Sequence, residues 1–319
     1  MKIGLDTAPA ALRGTYFQHL ASVLARYAPE HEYIIGTEVN DGVDLYHGFR
    51  SSLPLSVHLR RVPSVMTVPN LNFLRYPHLY TFAERLFVLT LYRRALRRAG
   101  RVITVSAPAR EELSERLNID PSKIEVMVPL AVPAPRGNPS QAELEHVRRK
   151  YALPEHFILM IGTVEPRHNH QAVFAALADA ASPAGADYLL GYARARRIAA
   201  RVDFIYELTP SDLPALFRLA RVFAYLPDAD AEASVVPVVE ALRAGLPMVL
   251  SDTQVNREAA GEAAAYVRPE ARGEVLAALE NALEDVSWRR TMQERERRRA
   301  ELFSEYAVAE RLMQIYTSL

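Results

Sequence analysis

VVPVVEALRAGLPMVLSD, residues 235–252, is the stretch that decides the fold. Its middle part is typical of a helix, and Gly245 stands where a glycine commonly ends one. The apolar run MVLS at 248–251 follows after a short turn and has the length and composition of a buried strand. A helix that leads straight into a buried strand is typical of parallel strands joined by crossover helices. The stretch therefore predicts an α/β protein.

The same alternation of strand-like and helical segments extends through the rest of the chain. In the first half it predicts strands at 1–5, 33–36, 43–47, 64–68, 102–106 and 124–128, and helices at 15–27, 81–99 and 108–117. In the second half it predicts strands at 157–162, near Tyr188, near Phe204, at 221–225 and at 248–251, and helices at 169–180, 211–218, 273–283 and 287–319. Such βα units indicate mostly parallel sheets.

Residues 129–139 separate the two series, because they carry four prolines and a glycine and match neither a strand nor a helix. We place a linker there. The predicted organisation is a Rossmann-like domain at 1–130, a second one at 131–300, and a C-terminal helix at 301–319. This helix could pack back on the first domain. Ligands of open parallel sheets bind at the carboxyl ends of the strands, so we expect a binding cleft there.

Composition excludes several function classes. Of the 319 residues, 38 are Lys or Arg and 38 are Asp or Glu, so no net positive charge favours nucleic acid as a partner. The chain has no cysteine, which rules out disulfides, thiolate metal sites and cysteine nucleophiles. The N-terminus MKIGLDTAPA lacks the apolar run of a signal peptide, and we expect a soluble, cytoplasmic protein. The sequence does not indicate the oligomeric state.

A basic run raises the question of membrane contact. RRALRRAGR, from Arg93 to Arg101, follows the apolar residues 86–92 on one predicted helix. This combination is typical of a helix that lies on the inner face of a membrane. A solvated helix face explains the same run, so both interpretations stay open.

A series of segments, in their order and spacing, resembles the family 4 glycosyltransferases of the GT-B fold. The segments are VDLYHG (43–48), SVMTV (64–68), FLRYP (73–77), AGRVITVS (99–106), PSKIEVMVPLAV (121–132), IGTVEPRHN (161–169), SDLPALFRLARVFAY (211–225) and EALRAGLPMVLSD (240–252). The resemblance covers nearly the whole chain. It implies two Rossmann-like domains whose parallel sheets face each other across a cleft.

Members of this family move a sugar from a nucleotide diphosphate donor, held by the C-terminal domain, to an acceptor held by the N-terminal domain, with retention at the anomeric carbon. For this chain the resemblance implies a hexose of the mannose or glucose type and a glycan or lipid-linked acceptor. It implies neither a metal ion nor another cofactor. Helix N-termini, backbone N–H groups and basic side chains would stabilise the leaving diphosphate.

Glu232 and Glu240 stand where the family has a similarly spaced pair of glutamates. The resemblance implies that Glu232 accepts hydrogen bonds from the donor sugar and that Glu240 binds the ribose hydroxyls. An alternative for Glu240 is an ordinary acid in the first turn of a helix, favoured by the helix dipole. Between the pair, the family usually has a glycine-aromatic-glycine stretch that closes over the phosphates, and this chain has Ala233, Ser234, Val235 and Val236 there. Ser234 could donate one hydrogen bond there, whereas valine disfavours the positive φ that a glycine allows.

The segment IGTVEPRHN carries the predicted phosphate contacts. Gly162 and Thr163 begin it, and Thr163 replaces an arginine of many members. Arg167 is retained and could grip a phosphate with two hydrogen bonds. His168 stands where the family has a lysine, so a side chain with a permanent positive charge is replaced by one that is only partly charged near neutral pH. An exposed loop histidine ahead of a helix is the alternative for His168.

The first domain also departs from the family pattern. Pro69 and Asn70 replace its frequent histidine–aspartate pair, and Gly14 alone stands where two adjacent glycines commonly precede a helix. With Gly14 at the helix start, the following backbone N–H groups would be available to a ligand. His47, at the end of a predicted strand, is either a binding residue or structural.

Two functions follow. The first is an active retaining glycosyltransferase in which Glu232, Arg167 and His168 act at the reacting centre. Glu240, Gly162, Thr163, Ser234, Val236 and Gly14 would then bind the donor. The second is a catalytically degenerate GT-B protein that binds a partner or a glycan, because the departures fall around one site.

Overall fold

A computed structural model describes residues 1–6, 11–36, 42–48, 53–68, 71–77, 80–127, 139–162, 168–178, 205, 208–228 and 235–319. The chain forms two compact units. The first contains Met1–Pro133 together with Leu302–Leu319, and the second contains Ala134–Glu301.

The strands supply one sheet to each unit. They are β1 (Lys2–Asp6), β2 (Glu32–Gly36), β3 (Leu45–Gly48), β4 (Ser64–Val68), β5 (Arg101–Thr104), β6 (Ile124–Val126), β7 (Ile158–Leu159), β8 (Val222–Tyr225), β9 (Met248–Ser251) and β10 (Ala265–Val267). The first sheet has the order β2-β1-β3-β4-β5-β6, and the second has the order β10-β9-β8-β7. Every strand pair in both is parallel. The α/β fold class is therefore confirmed.

Helices connect these strands. They are α1 (Ala11–Tyr27), α2 (Leu55–Arg60), α3 (Asn72–Arg75), α4 (Phe82–Arg98), α5 (Ala107–Leu117), α6 (Gln141–Lys150), α7 (His170–Ala178), α8 (Leu213–Leu219), α9 (Val236–Ala244), α10 (Gln254–Ala260), α11 (Arg272–Glu284), α12 (Val286–Ala300) and α13 (Glu305–Thr317). Local side-chain bonds set several starts. Thr81 and Glu84 bond to each other's backbone N–H groups at the start of α4, and Ser140 and Glu143 do the same at α6.

The last helix completes the core of the first unit. Leu312, Ile315 and Tyr316 of α13 are buried in one apolar cluster with residues of β1 and α1. Two ion pairs flank this packing, one between Arg26 and Glu305 with N and O 2.9 Å apart, and the other between Arg311 and Glu125 at 2.8 Å. Because apolar burial is the main source of stability, the first unit depends on a segment that is remote in sequence.

The second unit is built around its central strands. All four residues of β8 and of β9 are buried, as expected for parallel strands covered on both faces. One core cluster joins these strands to α7 and α11. On α9, Val238, Val239, Ala241 and Leu242 are buried. Gly245 ends α9 with φ 63°, which confirms the predicted helix end.

The structure corrects some predicted boundaries. Helix α1 begins at Ala11, so Gly14 lies within its first turn and not ahead of it. The single helix predicted at 287–319 is two helices, separated by a turn of 3-10 helix at Glu301–Phe303. Residues 129–138 of the predicted linker, and the strands predicted near Tyr188 and Phe204, lie outside the described residues. No helix in the described part of the chain is both long and apolar enough to cross a bilayer.

Candidate functional site

The carboxyl edge of the second sheet gathers the described site residues of the second unit, whereas Gly14 lies on α1 in the first unit. Gly162 and His168 follow β7, residues 235–240 follow β8 and open α9, and Thr253 follows β9 and caps α10. Because parallel strands end at the same edge, these segments share one side of the sheet. This edge is where open α/β sheets bind their ligands.

Gly162 and His168 are in direct contact. The backbone of Gly162 has φ 149°, and a Cβ atom at this position would lie only 2.9 Å from Nδ1 of His168. Both observations explain the glycine, since a side chain here would be strained and would displace the imidazole. His168 is 7 % exposed and stacks on His170, with ring centroids 5.8 Å apart. The alternative of an exposed loop histidine is therefore wrong.

The N-terminus of α9 offers backbone donors. Val235 occupies the N-cap position with φ −97°, and its side chain has no polar atom to bind the first N–H groups. Pro237, in the first turn, has no N–H group. The N–H groups of Val236 and Val238 are thus first-turn donors without an acceptor inside the helix. Together with the helix dipole, they favour an anion at this end.

Glu240 is a buried carboxylate. It is the fifth residue of α9 and only 8 % exposed, and it lies among buried valine, alanine and leucine residues. It does not lie in the first turn, so the alternative of an ordinary helix-start acid is wrong. Glutamate is seldom buried to this extent, because removing a charge from water is costly. Its burial separates Glu240 from the surface glutamates of the second unit.

His47, in the first unit, is structural. Its side chain is 1 % exposed; Nδ1 lies 2.6 Å from the hydroxyl of Tyr316, and Nε2 lies 2.7 Å from the hydroxyl of Thr67. Burial lowers the pKa of His47 to about 3, so the imidazole is neutral at physiological pH. Both ring nitrogens are used in holding α13 and β4 to β3.

Two sequence profiles of glycosyltransferases match this chain. Residues 144–299 match the family described as "Glycosyl transferases group 1", and residues 14–129 match "Glycosyltransferase Family 4". This chain belongs to the family 4 glycosyltransferases. The two profiles divide the chain between its two units, as expected for a family whose members carry two Rossmann-like domains.

Relatives of this glycosyltransferase include enzymes named for O-antigen synthesis. The O-antigen chain mannosyltransferase B of Escherichia coli is 27 % identical over 276 residues, which is 82 % of this chain and 70 % of the relative. The O-antigen chain mannosyltransferase RfbU of Salmonella typhimurium is 23 % identical, over 68 % of this chain and 60 % of its own length. This chain thus spans more than half of each of these relatives.

Solved structures of GT-B glycosyltransferases share the fold. Sucrose-phosphate synthase from Thermosynechococcus elongatus matches with a TM-score of 0.74 at 18 % identity, covering 100 % of this chain and 98 % of its own. The Anabaena protein HepE, solved in complex with UDP-glucose, matches with a TM-score of 0.74 at 14 % identity, with both chains fully covered. WaaG, a glycosyltransferase of lipopolysaccharide biosynthesis, matches with a TM-score of 0.68 at 15 % identity, covering 99 % of both chains. At these identities the likeness establishes the fold alone.

Part of the predicted site lies outside the described residues. Thr163, Arg167, Glu232 and Ser234 belong to this part, and their roles stay predictions. Sequence reasoning missed Asp6, a buried carboxylate at the end of β1 that accepts a hydrogen bond from the Tyr46 hydroxyl at 2.6 Å. The sequence signal for Asp6 was its position, because it is an acidic residue directly after the first apolar run.

Proposed function

We propose that this protein transfers a hexose from a nucleotide diphosphate sugar to a glycan or lipid-linked acceptor, with retention at the anomeric carbon. The observation that carries the proposal is the burial of Glu240 on α9, in the segment matched by the group 1 glycosyltransferase profile. A carboxylate at this place is a strong acceptor and suits the hydrogen bonds of a ribose.

The donor would lie along the carboxyl edge of the second sheet. Glu240 would accept hydrogen bonds from ribose hydroxyls, and the N–H groups of Val236 and Val238 would bind diphosphate oxygens at the start of α9. Arg167 and Glu232 would hold the phosphates and the sugar. Gly162 would let the chain pass close to His168, at the edge of the same site. These groups supply the anion stabilisation without a metal ion.

The names of relatives narrow the range of candidate donor sugars. The two O-antigen relatives are named mannosyltransferases, and HepE was solved with UDP-glucose. These names support a donor of the mannose or glucose type and an acceptor that is a growing glycan chain.

Calorimetric titration with UDP- and GDP-linked glucose and mannose tests the proposal, together with release of the nucleoside diphosphate in the presence of an acceptor extract. We expect one donor to bind, and Glu240→Ala to weaken binding by about tenfold or more, since hydrogen bonds to a charged group are lost. Glu280→Ala, which removes an exposed glutamate of the same unit, is the matched control. If no donor binds at millimolar concentration, the proposal fails.

A degenerate GT-B binding protein is the second candidate. The observation that favours it is Val235, a buried β-branched residue (1 % exposed) in the stretch where the family usually has a glycine-aromatic-glycine sequence beside the phosphates. Under this alternative, a glycan or protein partner would bind without transfer. Donor-dependent release of nucleoside diphosphate that Glu240→Ala abolishes would exclude it.

We also propose contact between helix α4 and an anionic membrane surface. Phe82, Leu86 and Phe87 are 82, 56 and 65 % exposed in the first half of this helix. In its second half, Arg93, Arg94, Arg97 and Arg98 are exposed. Exposed aromatic and apolar side chains followed by arginines on one helix suit the headgroup region of anionic lipids.

Co-sedimentation with vesicles tests the membrane contact. We expect binding to phosphatidylglycerol-containing vesicles, weak binding to pure phosphatidylcholine, and loss of binding in the double variant Phe82→Ser, Phe87→Ser. Leu302→Ser is the control, because Leu302 is also a large exposed apolar residue (58 %) but lies on another segment. Equal binding of both variants would refute the role of α4.

A further inference from the structure

A basic cavity lies at the amino edge of the second sheet. It has a volume of about 480 Å³ and is formed where α6, α8 and α12 meet the loops that lead into β7, β8 and β9. The predicted donor site lies at the carboxyl edge of this sheet, so the two sites are distinct. The volume is within the range of small-molecule sites.

The charge in this cavity is mostly positive. Arg148, Arg218, Arg221 and Arg289 line it, and among the described residues Glu155 is the one acidic side chain in the lining. Its apolar wall includes Phe217 and Leu246, together with other small and apolar residues. The lining therefore offers cationic groups for an anion and apolar groups for an apolar or ring-shaped part of a ligand.

Three of the arginines have structural partners. Arg148 donates to the carbonyl oxygen of Pro154 at 2.9 Å, and Arg218 donates to that of Ala244, the last residue of α9, at 3.1 Å. Arg289 donates to the carbonyl of Leu283 near the end of α11, at 2.6 Å. Arginine is favoured at helix C-termini, where carbonyl groups lack partners. Each guanidinium still keeps further N–H donors.

Arg221 differs from the other three. Its Nε is buried and has no hydrogen-bond partner among the described residues, although a buried donor without a partner is costly. Arg221 also acts on Arg289. Burial, and after it the charge of Arg221, lower the pKa of Arg289, and the charge of Asp285 opposes this shift in part. Two cations thus repel each other in a partly buried place, and an anion in the cavity would offset this repulsion.

We propose that this cavity binds a small phosphate-bearing ligand, whose phosphoryl oxygens accept hydrogen bonds from Arg221 and the neighbouring arginines. The planar guanidinium matches the geometry of a phosphate, and several arginines favour an anion with more than one charge. The apolar wall at Phe217 and Leu246 would receive the rest of a larger ligand, such as a nucleoside.

The test is calorimetric titration of the whole protein with inorganic pyrophosphate and, separately, with uridine and adenosine monophosphates, at constant ionic strength. We expect binding, and we expect Arg221→Gln to weaken it by about tenfold or more, because a charge-assisted hydrogen bond is lost. Arg290→Gln should leave binding unchanged, because Arg290 is exposed on the same helix as Arg289 but does not line the cavity. Tighter binding of a nucleotide than of pyrophosphate would mean that the apolar wall takes part.

A donor-site variant separates this proposal from the proposed transferase activity. Arg167→Gln should weaken the binding of the donor sugar and leave the binding of pyrophosphate unchanged. If pyrophosphate binding is lost in Arg167→Gln and kept in Arg221→Gln, the anion occupies the donor site and the proposal is overturned. The proposal is also overturned if none of these phosphate ligands binds at millimolar concentration. Should Arg221→Gln fail to fold, Arg218→Gln, at the end of a short helix on the cavity wall, answers the same question.

Discussion

Replacing Glu296 with glutamine should make the stability of the second unit less dependent on pH. The side chain of Glu296 lies on α12 and is 0 % exposed, and neither carboxylate oxygen has a hydrogen-bond partner among the described residues. Burial raises the pKa of Glu296 from 4.5 to about 8, since an ionised carboxylate is poorly solvated inside a protein. At neutral pH the folded protein therefore holds this carboxyl group mostly protonated.

The sign of the pH effect follows from the two pKa values. Below both, the carboxyl group is protonated in the folded and in the unfolded chain. As the pH rises from 4.5 to about 8, the unfolded chain loses this proton and the folded chain keeps it, so the free energy of unfolding falls. Each pH unit in this window is worth roughly 1.4 kcal/mol, which gives an upper limit of about 5 kcal/mol for the whole window.

Urea unfolding followed by tryptophan fluorescence measures this effect, because the single tryptophan, Trp288, lies on the same helix. We expect the stability of Glu296→Gln relative to the wild type to rise between about pH 5 and about pH 8, by at least about 2 kcal/mol. Glu294→Gln is the matched control, because Glu294 is exposed on the same helix. A difference from the wild type that does not change with pH, or an equal trend in Glu294→Gln, would refute the reasoning.

Three further substitutions test individual parts of the fold. Gly245→Ala should destabilise the second unit by about 1 kcal/mol, measured by urea unfolding, since φ is 63° at this position and alanine rarely adopts it. Tyr316→Phe should destabilise the first unit by about 1 to 3 kcal/mol, measured by thermal unfolding, because the buried imidazole of His47 loses its 2.6 Å partner; unchanged stability would contradict this role. Ser140→Ala should cost about 1 kcal/mol through the lost cap of α6, with faster hydrogen exchange in the first turn of that helix as the local measurement.

Strong apolar runs made much of the fold predictable. Strands β4 and β9 have the predicted bounds, because each is a short apolar run next to a turn or loop, and the end of α9 was marked by Gly245. Helix α6 was missed because it is strongly polar and buries only Val147. Its start was nevertheless readable, since Ser140 followed by Glu143 is the pattern of a reciprocal helix cap. Local chemistry was thus a better guide there than apolar periodicity.

The candidate site was predictable in position and less so in environment. The spacing of Glu240 from Gly245 placed it on a helix, but its burial depends on packing against elements far away in the chain. His168 was open to two interpretations for the same reason, since its contact with Gly162 bridges residues whose backbone angles the sequence does not specify. The break between α12 and α13 carries no proline or glycine, so composition alone indicated one helix.

The return of α13 to the first unit affects the order of folding during synthesis. Residues Met1–Pro133 leave the ribosome first, yet their core includes Leu312, Ile315 and Tyr316. The second unit, Ala134–Glu301, is continuous and needs no later segment. When residues up to Glu301 have left the ribosome, the chain would therefore hold a complete second unit and an unfinished first one, the reverse of the usual order in which N-terminal domains fold first.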